Sequence, residues 1–165
     1  MPIYNVPGFS FDINRQAILL DTNILVAAFV SRDSFHEVAV DFLKEWTDPF
    51  IIPASVLVEC WGMLAGSFKN RQAAIELYEW ASSPGNASIF PQDSSSFNVS
   101  LSAIKHARVD SVDALIAQLA HDISTQCGLK PPLKIATLDT RDIIRCRVQF
   151  NLNIEVLDLR TFDEY

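Results

Sequence analysis

The sequence predicts an α/β fold built on a central, mainly parallel five-stranded sheet. Short apolar runs alternate along the chain with longer segments whose apolar residues recur at helical spacing, and this order is typical of parallel strands joined by helices. The chain has 165 residues, of which 49% are hydrophobic, and its mean hydropathy is +0.17. It is therefore long and apolar enough to bury the core of a single domain.

Charge and cysteine content narrow the class of protein. A net charge of −7 disfavours broad attraction to nucleic acid or anionic lipid, although acids that face divalent cations would be locally neutralised. The three cysteines, Cys60, Cys127 and Cys146, are widely spaced, which favours neither a disulfide framework nor a zinc site. Since no apolar run is long enough for a membrane span and no signal-peptide pattern is seen, we expect a soluble cytoplasmic protein without membrane contact.

The predicted strands and helices follow in chain order. The five strands are short apolar runs: 18–20, 50–52, 87–90, 134–138 and 153–157. The helices are segments with helical apolar spacing or all-round apolar character: 22–30, 35–46, 54–65, 71–81, 97–104, 112–126 and a short one over 139–145. No repeats interrupt this order.

Three parts of the chain are distinguished on this basis. Residues 18–158 are predicted to form the domain, and 159–165 a polar, peripheral tail. Residues 1–17 are predicted to be an irregular N-terminal arm with room for a short strand. Its aromatic residues Tyr4, Phe9 and Phe11 would pack either against the core or against a second copy of the chain.

Two aspartates directly follow predicted strands. Asp21 ends the first strand and Asp139 ends the fourth, and a helix pattern begins after each. Because open α/β sheets bind ligands at the carboxyl ends of their strands, we expect both acids at one edge of the sheet. Alternatively, Asp21 or Thr22 caps the following helix. Asp142, three residues beyond Asp139, is either an auxiliary acid that acts through water or a cap.

Two further acids lie within predicted helices. Glu59 is the only charged residue of the apolar helix 54–65, and no Lys or Arg occupies a neighbouring helical position to pair with it. A carboxylate in such a helix is costly unless it is paired, hydrogen-bonded or bound to a metal. Asp113 borders the apolar stripe of the helix 112–126, beside Ala117 and Ala120, which leaves room for an ion. The alternative is that Asp110 caps this helix and Asp113 belongs to the same capping arrangement.

Four acids at one end of a parallel sheet predict a site for a hard cation. Mg²⁺ and Mn²⁺ prefer oxygen ligands and commonly keep waters for substrate phosphates. Two such ions can activate a water and stabilise the leaving oxygen in phosphodiester cleavage.

These motifs resemble, in order and spacing, those of the PIN domain family, and within it the VapC-type toxin ribonucleases of toxin–antitoxin pairs. The resemblance runs from about residue 18 to 157. It rests on four segments: Leu20-Asp21-Thr22-Asn23-Ile24-Leu25, Glu59, Val112-Asp113-Ala114 and Ala136-Thr137-Leu138-Asp139-Thr140-Arg141-Asp142.

The resemblance implies a PIN-like three-layer α/β/α fold and metal-dependent endonucleolytic cleavage of RNA. It also implies a small antitoxin partner and a homodimer. The implied ligands of Mg²⁺ or Mn²⁺ are four acids with one auxiliary acid: Asp21, Glu59, Asp113, Asp139 and the auxiliary Asp142. Asn23 and Thr137 would orient the first and fourth acids.

Two features depart from the family pattern. The arm before Asp21 is longer than a compact toxin needs, and the chain is acidic without an evident basic groove. Eight basic residues are available as phosphate contacts, most of them expected to be ordinary solvated surface: Arg32, Lys69, Arg71, Lys105, Arg108, Arg141, Arg145 and Arg147.

Other functions compete with the ribonuclease hypothesis. A non-catalytic PIN-like interaction module would carry the same acids in a structural role. A His/Asp metal phosphohydrolase could use His121-Asp122 with His36 and His106, but the preceding helix lacks the metal-binding partners, and His121 is expected to be exposed. A flavodoxin-like nucleotide binder is disfavoured because no glycine-rich loop follows the first strand.

Overall fold

The computed structural model of the chain describes residues 2–6, 9–13, 17–92 and 94–164. Seven strands lie in this part of the chain: β1 Ile3–Val6, β2 Phe9–Asp12, β3 Ile18–Leu20, β4 Phe50–Pro53, β5 Ala87–Phe90, β6 Lys134–Thr137 and β7 Glu155–Asp158. Seven α-helices accompany them: α1 Thr22–Phe29, α2 His36–Glu45, α3 Ala54–Trp61, α4 Arg71–Ser82, α5 Ser94–Ala107, α6 Ser111–Gln126 and α7 Arg141–Phe150. A π-helix, Gly62–Ser67, continues α3, and a 3₁₀-helix, Leu159–Glu164, follows β7.

The central sheet has five strands in the order β5-β4-β3-β6-β7, and all neighbours are parallel. The prediction of a three-layer α/β/α fold is confirmed. Helix α1 contacts α2 and α4, while α5, α6 and α7 contact one another, and α3 touches both α1 and α6. Every residue of β3 and β4 is buried, as expected for strands covered on both faces. In the part of the chain described, no helix combines the length and apolarity that a membrane crossing needs.

The third helix differs from the prediction in its second half. The α-helix ends at Trp61, and the chain continues as the π-helix, in which the Phe68 amide donates to the Met63 carbonyl at 2.9 Å. Gly62 and Gly66 lie in this segment, and glycine weakens the preference for regular α-helix. Apolar periodicity alone does not distinguish the two helix types.

The last α-helix is longer than predicted. It runs to Phe150 rather than Arg145 and ends at Asn151, whose φ of 50° is left-handed. Asn is one of the few residues that adopt this conformation readily, and it commonly ends a helix there. Ile143 and Cys146 are its buried residues, so the helix carries a narrow apolar stripe that is easily underestimated from the sequence.

The N-terminal arm is a β-hairpin rather than an irregular segment. Strands β1 and β2 pair antiparallel, with Tyr4 opposite Phe11. The rings of both residues stack on Phe90 at the end of β5, with centroids 5.9 and 4.0 Å apart respectively. Tyr4 and Phe11 therefore pack against the core, while the side chain of Phe9 lies outside the described part of the structure. Aromatic residues spaced two apart fit one face of a strand, which is the signal that the prediction of irregularity undervalued.

Candidate active site

Asp21 is placed by the register of the central sheet. Leu20 lies opposite Ala136 in the parallel pair β3–β6, and the Asp21 amide continues this pairing by donating to the Ala136 carbonyl at 3.1 Å. Asp21 caps α1, since its Oδ1 accepts from the Thr22 amide at 2.6 Å. Its Oδ2 accepts from the Thr137 hydroxyl at 2.6 Å. Capping and a role at the sheet edge are therefore not alternatives, because each uses a different oxygen.

The Thr137 hydroxyl connects three residues of this edge. It donates to Asp21 and accepts from the Asn23 side-chain amide at 3.0 Å and the Asp139 backbone amide at 3.0 Å. Asn23 Oδ1 in turn accepts from the Leu138 amide at 2.9 Å. Thr137 is fully buried, so these bonds are sheltered from water and hold the Asp21 carboxylate in one orientation. Asn23 reaches Asp21 largely through Thr137.

Burial dominates the electrostatics of Asp21. It raises the pKa of this carboxyl group from 3.8 to about 6. The hydrogen bonds from Thr137 and the Thr22 amide lower the pKa, and the nearby Glu59 charge raises it. An oxygen-seeking cation would relieve the same desolvation by binding the ionised form.

Glu59 obtains its partner from a neighbouring helix. Its Oε2 accepts a hydrogen bond from the Thr22 hydroxyl on α1. This contact answers the question raised by the sequence, because the carboxylate is held by a hydroxyl instead of a basic residue. The sequence predicts only a capping role for Thr22. Its hydrogen bond to Glu59 depends on how α3 packs against α1, which no local sequence pattern indicates.

Asp113 lies in the first turn of α6, whose cap is Asp110; the Asp110 Oδ1 accepts from the Val112 amide at 2.9 Å. Ala117 and Ala120 beside it are fully buried. Desolvation first, and then the charges of Asp21, Asp110, Asp142 and Glu59, raise the pKa of Asp113 to about 8. In the part of the chain that the structure describes, its carboxylate has no hydrogen-bond or ion-pair partner.

Asp139 and Asp142 lie beside arginines at the start of α7. Asp139 Oδ1 accepts from the Arg141 amide at 3.1 Å, and its Oδ2 lies 3.4 Å from Arg141 Nη2. Asp142 Oδ1 lies 3.2 Å from Arg145 Nη1 and 3.7 Å from Arg141 Nε. Asp142 is thus held by two guanidinium groups.

A pocket of about 200 Å³ gathers the four principal acids. Its lining consists of Asp21, Thr22, Asn23, Glu59, Met63, Asp113 and Asp139. Asp142 does not line it. Among the described residues, no three acidic, imidazole or thiol side chains are already arranged around one point as a metal cluster. In this arrangement Glu59 is bonded to Thr22, and Asp139 is paired with Arg141. Met63, in the π-helix, also lines the pocket; it lies four residues after Glu59, a spacing that places both side chains on one helix face.

The histidine alternative gains no support. His36 Nδ1 lies 2.9 Å from the Ala27 carbonyl, and His121 Nδ1 accepts from the Asn153 amide at 2.8 Å. His121 is half-buried rather than exposed. The two histidines line separate cavities of about 720 and 280 Å³. The larger cavity lacks the set of acids, so volume alone does not locate the site.

The PIN domain model matches residues 18–147. The chain belongs to the PIN domain family. The matched segment contains all four pocket acids and Asp142, and it begins after the hairpin. Nothing among curated proteins matches the chain significantly in sequence.

Solved structures share the PIN fold at low sequence identity. Mycobacterium tuberculosis VapC20, a toxin that cleaves the sarcin–ricin loop, aligns with a TM-score of 0.61 and 16% identity over 76% of this chain and 92% of its own. FitAcB of Neisseria gonorrhoeae aligns with a TM-score of 0.58 and 20% identity, over 87% of this chain and 98% of its own. VapBC2 of Rickettsia felis, bound to a promoter DNA fragment, aligns with a TM-score of 0.55 and 18% identity, over 86% of this chain and 99% of its own.

Proposed function

We propose that this PIN domain is a Mg²⁺- or Mn²⁺-dependent endoribonuclease that hydrolyses RNA phosphodiester bonds. The observation that carries the proposal is the convergence of Asp21, Glu59, Asp113 and Asp139 on one pocket at the carboxyl edge of the sheet. They come from four different elements or their ends, so no single local role such as capping accounts for all of them.

The donor set fits a hard divalent cation. All four side chains offer carboxylate oxygens, which Mg²⁺ and Mn²⁺ prefer. Asp113 is half-buried without a partner among the described residues, and the neighbouring negative charges act on it. A cation would compensate both the lost hydration and this repulsion.

Each residue has a defined task in the proposed reaction. Asp21, Glu59, Asp113 and Asp139 would hold the metal, with Asp142 as an auxiliary acid. Thr137 fixes the Asp21 carboxylate, Asn23 supports Thr137, and Thr22 fixes Glu59. When bound, divalent cations supply activation of the attacking water and stabilisation of the leaving oxygen. The residues of the chain preset the carboxylate orientations on which this chemistry depends.

A toxin role with a small antitoxin partner extends the proposal. It is supported by the family and by the fold shared with VapBC2 and with FitAB, whose structure bound to a DNA fragment has a TM-score of 0.54 at 16% identity. We further propose a homodimer that acts in the cytoplasm. Growth arrest on expression, relieved by a small upstream reading frame, would support the toxin assignment.

The ribonuclease proposal is tested with the Asp21→Asn variant. Cleavage of single-stranded and structured RNA is followed during a Mn²⁺ titration. We expect the variant to lose about 100-fold or more in activity, since even groups that only support a metal ligand contribute 10- to 100-fold. Asp41→Asn, an exposed acid on α2, is the matched control and should retain activity.

Failure would take a clear form. Equal cleavage by wild type and Asp21→Asn would show that the acid pocket is not the active site. No cleavage by wild type with any metal or RNA, together with an intact fold, would favour the non-catalytic interaction module.

A further inference from the structure

Two arginines stand at the rim of the acid pocket on the α7 side. Arg141 contacts both Asp139, at 3.4 Å, and Asp142, at 3.7 Å, while Arg145 contacts Asp142 at 3.2 Å. Their side chains are 71% and 44% exposed. Exposed ion pairs of this kind contribute little to stability, so folding alone gives little reason for these cations to lie beside Asp139, which lines the pocket, and beside Asp142, three residues further on.

The position of Arg141 in its helix is unfavourable. It is the first residue of α7, where the helix dipole disfavours positive charge. Arg147, in the last turn of the same helix, has the favourable position. Residues that are unfavourable for their local structure are expected mainly at functional or strained sites.

A third arginine is tied to the same side. Arg145 Nη1 donates to the Arg108 carbonyl at 3.4 Å, which links α7 to the connection between α5 and α6. Arg108 is exposed and has a left-handed backbone with φ of 54°, a conformation that is uncommon for residues other than glycine. Arg108 lies two residues before Asp110, the cap of α6, which is the helix that carries Asp113.

We propose that Arg141 and Arg145, with Arg108 beside them, form a phosphate-binding rim that holds the RNA backbone next to the acid pocket. This inference rests on the proposed ribonuclease function. A chain of net charge −7 needs local cations to hold a polyanion. Guanidinium groups are suited to it because their planar forks match phosphate oxygens.

The rim has a defined relation to the metal site. If a cation were held by the Asp139 carboxylate, Arg141 would lose this ion-pair partner and could contact an RNA phosphate. Contacts to phosphate position a nucleic acid without reading its sequence. The rim therefore contributes to affinity for RNA of any sequence.

The first experiment measures RNA binding in the absence of cleavage. All proteins carry Asp21→Asn, and binding of a labelled single-stranded RNA is followed by fluorescence anisotropy in Mg²⁺ at several salt concentrations. Arg141→Gln and Arg145→Gln are each expected to weaken binding about 3- to 5-fold. Each should also reduce the steepness of log K against log salt by about 0.7, the value for one phosphate contact with a single strand. Arg147→Gln is the control on the same helix and should leave both quantities unchanged.

The second experiment separates a phosphate contact from a structural role. Mn²⁺ binding to otherwise wild-type protein is measured by calorimetry. Arg141→Gln is expected to bind Mn²⁺ as tightly as wild type or more tightly, because Asp139 loses its competing cation. A structural defect would lower Mn²⁺ affinity, RNA affinity and melting temperature together, and that result would overturn the inference.

Failure of the inference and failure of the proposed function are distinguishable. If wild type cleaves RNA and both arginine variants retain the affinity and salt dependence of their parent, only the rim is overturned. If neither wild type nor the Asp21→Asn parent interacts with RNA, the rim and the ribonuclease proposal fail together.

Discussion

The Thr137 hydroxyl is the single group on which the geometry of the pocket edge depends most. It is fully buried and has three partners, Asp21, Asn23 and the Asp139 amide. A valine of similar shape would leave all three without this partner. Because unsatisfied buried polar groups are costly, the side chain combines support for the fold with orientation of the site.

We expect Thr137→Val to lower the free energy of unfolding by about 1–3 kcal/mol, measured by urea denaturation. Mn²⁺ affinity should fall 10- to 100-fold, as is typical when support of a ligand is lost. Thr137→Ser keeps the hydroxyl and removes one methyl group, so it should cost about 0.8 kcal/mol and preserve Mn²⁺ binding. Equal Mn²⁺ affinity in the valine and serine variants would contradict an orienting role.

The raised pKa values of Asp21 and Asp113, about 6 and about 8, make the metal-free protein sensitive to pH. Both values exceed the 3.8 of an unperturbed aspartate, so the folded state binds more protons than the unfolded state above about pH 4. Stability must then fall as the pH rises, up to about pH 6 for Asp21 and about pH 8 for Asp113.

In EDTA, we expect the melting temperature to fall between pH 5 and pH 8. The loss should be on the order of 1–2 kcal/mol after allowance for solvent screening of half-buried Asp113, and each kcal/mol corresponds to about 2–4 °C. Asp113→Asn should flatten the profile, and saturating Mn²⁺ should stabilise wild type most at high pH. A melting temperature that rises over this range in both proteins would contradict the assigned pKa shifts.

Residue types identified the acids, but their partners required the tertiary structure. Asp21 and Asp139 are recognisable because each follows an apolar strand, and Glu59 because it is isolated in an apolar helix. The Thr22–Glu59 hydrogen bond spans 37 positions and depends on how two helices pack, for which no local pattern exists. The ion pairs of Asp142 likewise became visible only with the start of α7 in place.

At the scale of elements, the transition from α3 to the π-helix lies in the segment that contributes Glu59 and Met63 to the pocket. Glu59 and Met63 both line the pocket, and their spacing of four residues places the two side chains on one face of a helix. π-Helical turns are rare and frequent at functional sites. Gly62 at the transition has ordinary right-handed helical angles, and a Cβ added there would meet no atom within 4 Å.

We therefore expect Gly62→Ala to stabilise the protein by about 0.4–1 kcal/mol, chiefly by restricting the unfolded chain. Gly128 provides the contrast, because its φ of +60° is left-handed. Gly128→Ala should destabilise by about 1–2 kcal/mol, although it too has open space around it. Urea denaturation of both variants tests the difference, and destabilisation by Gly62→Ala would mean that the transition itself requires glycine.

The sequence predicted elements best where a long pattern and a clear stop coincide. Helix α6 has a wide apolar stripe and the Asp110 cap, and its bounds were nearly right. The hairpin was predicted only as an arm with room for a short strand, because strands of four residues give a spacing-of-two pattern that is short and easily undervalued. The π-helix was missed because apolar periodicity does not distinguish it from the α-helix that it continues.

For the whole molecule, the N-terminal hairpin is an extension that packs onto the PIN domain. Its strands precede the matched segment 18–147, yet Tyr4 and Phe11 stack on Phe90, which is 1% exposed. The Asn5 amide also donates to Gln126 Oε1 on α6 at 2.8 Å. The hairpin thus completes the core near the edge strand β5.

We expect Phe11→Ala to cost about 2–3 kcal/mol, below the 3–5 typical of fully buried phenylalanine because this ring is half-buried. Ile3, on the same hairpin, is 52% exposed, so Ile3→Ala should change stability by no more than about 0.5 kcal/mol. Chemical denaturation provides the measurement. Equal effects of the two substitutions would show that the hairpin is not part of the cooperative core.

Cys60 gives the site an internal reporter of its own opening motions. This thiol is fully buried beneath the first turn of α1, with its Sγ 3.9 Å from the Thr22 carbonyl. Burial raises its pKa well above the ordinary range, so it is unreactive while the helices stay packed. A thiol reagent can reach it only when α1 and α3 separate, and its rate of modification measures how often that happens. The rate of Cys60 modification would thus report local unfolding next to Thr22, the residue that is bonded to both Asp21 and Glu59.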